Sequence, residues 1–116
     1  MTDPDCLFCK IVAGGVPADI VAESDTAIAF RDIAPQAPVH VQVIPREHYE
    51  NVSEVAAAGD LDVADLFRLA VEVATIEGVA ESGYRLVANT GAHAFQTVSH
   101  CHIHVLGGRP MGWPPG

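Results

Sequence analysis

His100-Cys101-His102-Ile103-His104-Val105-Leu106 alternates imidazoles with Cys101, Ile103 and Val105. An extended strand has a side-chain period of two, so this stretch predicts a strand over 100–107 with three imidazoles on one face and three apolar side chains on the other. The apolar face reads as core. The imidazole face reads as a site, because a surface strand has no packing reason to select imidazole repeatedly. At about 3.3 Å per residue the outer histidines lie roughly 13 Å apart, too far for all three to share one tetrahedral metal. Divided roles follow. The central His102, flanked by an imidazole on either side, is the candidate nucleophile or base; the outer members can bind phosphate, orient His102 or hold a metal.

The sequence on either side supplies the elements that would carry such a strand. Tyr84 to Asn89 reads as a partner strand, with Gly91 to Ser99 as the connection. Val21 to Glu23 and Thr26 to Arg31 read as a hairpin, and Val39 to Ile44, bounded by prolines, as a further strand. Leu7, Phe8, Ile11 and Val12 have helical spacing after Asp3-Pro4, which resembles an N-cap with proline at the first helical position; Gly14-Gly15 ends the segment. From Leu61 to about Glu77, Val63, Leu66, Phe67, Ala70, Val73 and Ala74 keep a 3.6 period, with Asp60 as N-cap and Gly78 as C-cap. Helix, three strands, helix, two strands predicts an α+β fold with a mainly antiparallel sheet, one domain over 1–116.

Composition narrows the function. A chain of 116 residues, 49% hydrophobic, can bury about two-thirds of its surface. No apolar run reaches the roughly 18 residues of a membrane span. The formal charge is −9, and the six Lys and Arg are scattered singly, which leaves no footprint for polymeric nucleic acid. A small phosphorylated ligand stays open, since backbone amides and imidazoles can hold one phosphate. Three cysteines, an odd number, argue against a secreted disulfide framework and for the cytoplasm.

Cys6-Leu7-Phe8-Cys9 has the spacing of half a zinc site, and His48 and His100 are the best suppliers of two further ligands. The alternative is that both cysteines simply pack in the core; Cys101, on the apolar face, is read as structural. Asp32, beside Ile33 at a strand end, is either a solvated turn acid or an acid that binds sugar hydroxyls. Asn89, Gln96 and Thr97 flank the loop into the histidine strand, where amide and hydroxyl groups can reach a phosphate. His40 and His93 are left outside the chemistry.

His100 to Leu106 matches in full the motif of the histidine triad (HIT) superfamily, and the resemblance extends through Phe30 to Pro38, Val43 to His48, Gly83 to Asn89 and Gly107 to Gly116. The Trp113-Pro114-Pro115-Gly116 ending is similar to that of the Hint branch, the histidine triad nucleotide-binding proteins. This resemblance implies an antiparallel sheet of about five strands with two helices, and a homodimer in which the sheets join and each tail, with Trp113, reaches toward the partner's site. The implied activity is hydrolysis of purine nucleoside 5′-phosphoramidates, typically adenosine ones, to a nucleoside monophosphate and an amine, with no magnesium required. By resemblance, His102 attacks phosphorus to give a nucleotidyl-imidazole intermediate. His104 and Asn89 contact phosphate or orient His102, Thr97 stands near the leaving group, Asp32 binds ribose, and Phe8 and Ile33 line the base pocket.

The Cys6/Cys9 pair resembles that of many bacterial relatives and of galactose-1-phosphate uridylyltransferases, which implies a structural zinc on Cys6, Cys9, His48 and His100. The loop Gly91-Ala92-His93-Ala94-Phe95 is bulkier than the glycine-rich Hint version. Two other readings remain: a dinucleoside polyphosphate hydrolase of the Fhit type, and a nucleotide-binding regulatory module with little catalysis.

Overall fold

A computed structural model describes residues 2–116, Leu61 by its backbone alone. Five strands form one antiparallel sheet: β1 (Ile20–Glu23), β2 (Ala27–Arg31), β3 (Val39–Pro45), β4 (Tyr84–Val87) and β5 (Ile103–Gly107), in the order β1-β2-β3-β5-β4. Among the described residues three α-helices accompany it, α1 (Leu7–Val12), α2 (Val52–Ala58) and α3 (Asp60–Ile76), with a single 3-10 turn at Ala92–Ala94. Among the described residues no helix is long and apolar enough to cross a membrane.

Period-two alternation divides the sheet into two apolar faces. Ala27 and Ala29 of β2, Val41 and Val43 of β3, and Ile103 and Val105 of β5 pack with Cys101 against Leu66, Leu69, Ala70 and Val73 of α3. Full burial of each larger aliphatic side chain is worth roughly 1.5–3 kcal/mol, so this layer is the main core. On the opposite face Ile28, Phe30 and Ile44 pack with Phe8 of α1. Because β3 and β5 pair as Gln42↔His104 and His40↔Leu106, His40, Gln42 and His104 come together on the α1 face.

Several boundaries differ from the sequence reading. The strand expected from His100 begins at Ile103; before it, the Cys101 amide donates to Tyr49 O at 2.6 Å, so the peptide chain is anchored outside the ladder. The partner strand ends at Val87, short of Asn89. The first helix starts at Leu7 and is capped by Cys6, whose sulfur accepts from the Cys9 amide; Asp3-Pro4 lies in the preceding turn. Three α-helices stand where two were expected, since an additional helix, α2, precedes α3 and is separated from it by Gly59 at φ 141°. Asp60 is thus the first residue of α3, not its cap, and Glu77 is the C-cap ahead of Gly78. The missed α2 has an Asn51 cap on the Glu54 amide but buries only Val55, too little to leave an apolar period. Within α3, Phe67 is 43% exposed and Leu69 takes the core position.

Candidate functional site

Cys6 at the cap of α1 and Cys9 one turn later face two imidazoles from distant parts of the chain. Cys6 Sγ is 3.3 Å from His100 Nδ1, and Cys9 Sγ is 3.4 Å from His48 Nδ1 and 3.6 Å from His100 Nδ1. The four donor atoms lie within 4.8 Å of one another. A zinc tetrahedron with two sulfurs and two nitrogens has S···N edges of roughly 3.5 Å, so the residues present fit that ion. His100 is fully buried, and its Nε2–H donates to Pro45 O at 2.9 Å. That bond leaves the Nδ1 lone pair facing the sulfurs, as an oriented metal ligand requires. Burial holds the His100 imidazole down at about 4, which keeps it neutral. Burial, reinforced by Cys6, pushes the Cys9 thiol up, so binding a metal would release its proton. Cys101 is raised to about 11 by burial and packs in the core.

His102 points away from this cluster. Its Nδ1 lies 2.7 Å from His100 O; a carbonyl only accepts, so Nδ1 carries the hydrogen and Nε2 presents a lone pair. The ring stands edge-on to Phe8 and to His104, with centroids 5.3 and 4.9 Å away. The three imidazoles therefore do not share one strand face. His100 turns into the sulfur cluster, while His102 and His104 meet at a cavity.

His104 is oriented by a residue that the sequence reading set aside. The Gln36 amide donates to His40 Nδ1 at 3.0 Å, which assigns the His40 hydrogen to Nε2. That group donates to His104 Nδ1 at 2.8 Å, leaving the His104 hydrogen on Nε2 as a donor. Burial lowers His40, and burial with the neighbouring His102 and His40 lowers His104 to about 4; both are neutral, as the chain of donors demands. Asp32 sits 3.4 Å from His40 Nε2. Its carboxylate also accepts from Gln42 Nε2 and the Ala34 amide, each at 2.8 Å. The His40–His104 separation is that of a direct hydrogen bond. His40 was missed because only the β3–β5 register brings it to His104; its own surroundings, Pro38-Val39 and Val41, read as a plain strand.

A cavity of about 300 Å³ lies in front of His102 and His104. Phe8, Ile11, Val16, Phe30 and Ile33 supply apolar walls, and Asp32 and Thr97 stand at its polar end. Ile33 is wholly solvent-exposed, a free apolar wall of the kind a planar ring can cover. A second groove, of about 630 Å³, contains Asn89, Phe95, Thr97, His104 and Leu106.

The remaining expected residues occupy the loop and tail. Asn89 Nδ2 donates to Ala94 O at 2.7 Å. Gln96 lines neither cavity; its amide donates to Glu50 O and Val98 O and accepts from the Gly91 amide, bracing the loop. Trp113 is 84% exposed and follows Gly112, whose carbonyl accepts from Arg85 Nη2 on β4 at 2.8 Å.

Residues 13–111 match the HIT domain family. The chain is 44% identical over 108 residues to a purine nucleoside phosphoramidase of Escherichia coli, covering 93% of this chain and 91% of that protein. It is 49% identical to an uncharacterized HIT-like protein of Synechococcus elongatus, covering 97% of both. A crystal structure of a HIT family hydrolase from Legionella pneumophila superposes with a TM-score of 0.92 at 46% identity, covering 97% of this chain and all of that one. The chain therefore belongs to the HIT domain family and is a hydrolase of that family.

Proposed function

We propose that this protein hydrolyses purine nucleoside 5′-phosphoramidates through a nucleotidyl intermediate on His102. The observation that carries the reading is the pinned tautomer of His102: the Nδ1–H bond to His100 O directs the Nε2 lone pair into a cavity whose far walls are apolar. The name of the Escherichia coli relative supports the substrate class. In this reading the base lies against Phe8, Ile11 and Ile33, the ribose hydroxyls meet Asp32, and the phosphate sits at Thr97 and the His104 Nε2–H, with Asn89 close by. His102 Nε2 forms a bond to phosphorus as the P–N bond breaks. The amine nitrogen takes that electron pair and a proton from water and departs. Water then attacks the same phosphorus as the P–Nε2 bond breaks with its electron pair returning to His102, and the proton this water loses replaces the one the amine took, leaving the nucleoside monophosphate. Two modest displacements replace one difficult one, and donors already in place stabilise charge on the phosphoryl oxygens.

A zinc held by Cys6, Cys9, His48 and His100 would contribute structure by tying α1 to the segment that carries the His100 carbonyl. We also place the chain in a homodimer joined through β4, one of the two edge strands of the sheet, beside which Arg85 holds the tail; sedimentation at the mass of one chain would remove this part.

The test is AMP release from adenosine 5′-phosphoramidate by wild type and by His102→Ala. Turnover that vanishes in the variant while AMP still binds is the expected result. Equal turnover by the two proteins would overturn the nucleophile, and no turnover by either would overturn the substrate class.

A further inference from the structure

The two cavities meet at a common rim. Asp32, Thr97 and His104 line both, His102 lines only the first, and Val87, Phe95 and Leu106 line only the second. In a displacement at phosphorus the attacking and departing atoms stand roughly in line on opposite sides. A phosphorus at the shared rim, attacked from the His102 side, therefore sends its leaving group into the second groove.

Phe95 gives that groove its character. It is the one non-glycine residue with positive φ among the described residues, at 60°, a backbone region that favours glycine and resists bulky side chains. The loop holds it there: the Phe95 amide donates to Ala92 O, the Gln96 amide to Gly91 O, and Asn89 Nδ2 to Ala94 O. Yet the ring gains little packing in return, since Phe95 is 81% exposed. A strained backbone that is over-determined by its surroundings and presents an open aromatic face fits a ligand contact better than a core role. Among the described residues, no Lys or Arg lines the groove.

Resting on the phosphoramidate reading, we infer that Phe95, with Val87 and Leu106, forms a leaving-group subsite that selects phosphoramidates of aromatic or bulky apolar amines over those of ammonia. The readout is the ratio of kcat/KM for the tryptamine and the ammonia adenosine 5′-phosphoramidates. Phe95→Asn removes the ring but keeps a residue tolerated at positive φ, and Phe95→Tyr keeps the ring. The ratio falls about tenfold in Phe95→Asn, a size typical of a lost apolar contact, and recovers in Phe95→Tyr. An unchanged ratio in Phe95→Asn, with both substrates turned over by wild type, overturns this inference and leaves the hydrolytic reading standing. A ratio that holds in Phe95→Asn but collapses on removing residues 113–116 gives the groove to the tail and also overturns it. No wild-type turnover of either compound overturns both.

Discussion

Replacing His40 with alanine cuts the hydrogen-bond chain that runs from the Gln36 amide to His104. The Gln36 amide loses its acceptor at 3.0 Å and His104 Nδ1 loses its donor at 2.8 Å. The first loss lies beside an exposed residue, where water can replace the acceptor, and costs about 0.5–1 kcal/mol. The second leaves a half-buried ring nitrogen unpaired and costs about 1–2 kcal/mol, which brings the loss of folding stability to about 1.5–3 kcal/mol. The effect on turnover comes from His104. With nothing donating to Nδ1, the ring no longer favours the Nε2–H tautomer or one orientation, and a loss of about 1.4–2.7 kcal/mol of phosphoryl stabilisation is about a ten- to hundredfold fall in kcat/KM. Urea unfolding measures the first quantity and AMP release from adenosine 5′-phosphoramidate the second. Nitrogen-15 NMR of the histidine rings reports the tautomer directly: wild-type His104 is expected with its hydrogen on Nε2, and the variant with a mixture. A wild-type His104 protonated at Nδ1, or a variant that releases AMP within about twofold of wild type, would refute the chain of donors.

Two further outcomes are expected. Metal analysis of protein purified without chelator should find about one zinc per chain in wild type and in His102→Ala, and little in Cys6→Ser, with a lower Tm in the last; a metal-free wild type would dismiss the zinc proposal. His104 is held at about 4, below the ordinary imidazole value of about 6.5. The unfolded chain therefore binds more protons between those values, and stability falls as pH drops from 6.5 toward 4. Unfolding free energies across that window should show a shallower slope in His104→Gln, and an identical slope would count against a neutral, buried His104.

The long strands and α3 were legible because burial on one face leaves a period in the sequence. Val41 and Val43 alternate on β3, and Leu66, Ala70 and Val73 recur at helical spacing. The short α2 left no such period, and α3 was misread at Phe67 and Leu69 because Phe67 beside Leu66, and Leu69 beside Ala70, can each be fitted to the same template. Cys6-x-x-Cys9 announced half of a donor set through spacing alone. Its closure by His48 and His100 depended on how α1 lies over the sheet.

The sequence by itself determined the five strands, α1 and α3, the antiparallel α+β fold, and which residue types could do chemistry, since these follow from local period and side-chain character. Tertiary structure alone decided which partner each imidazole nitrogen meets. The chain leaves the ladder before Ile103, so His100 turns to the sulfurs and His102 hangs from its carbonyl. The β3–β5 register then sets His40 against His104 across 64 positions of sequence. Ring tautomers are fixed by whichever donor or acceptor packing brings to each nitrogen, and no local pattern contains that partner.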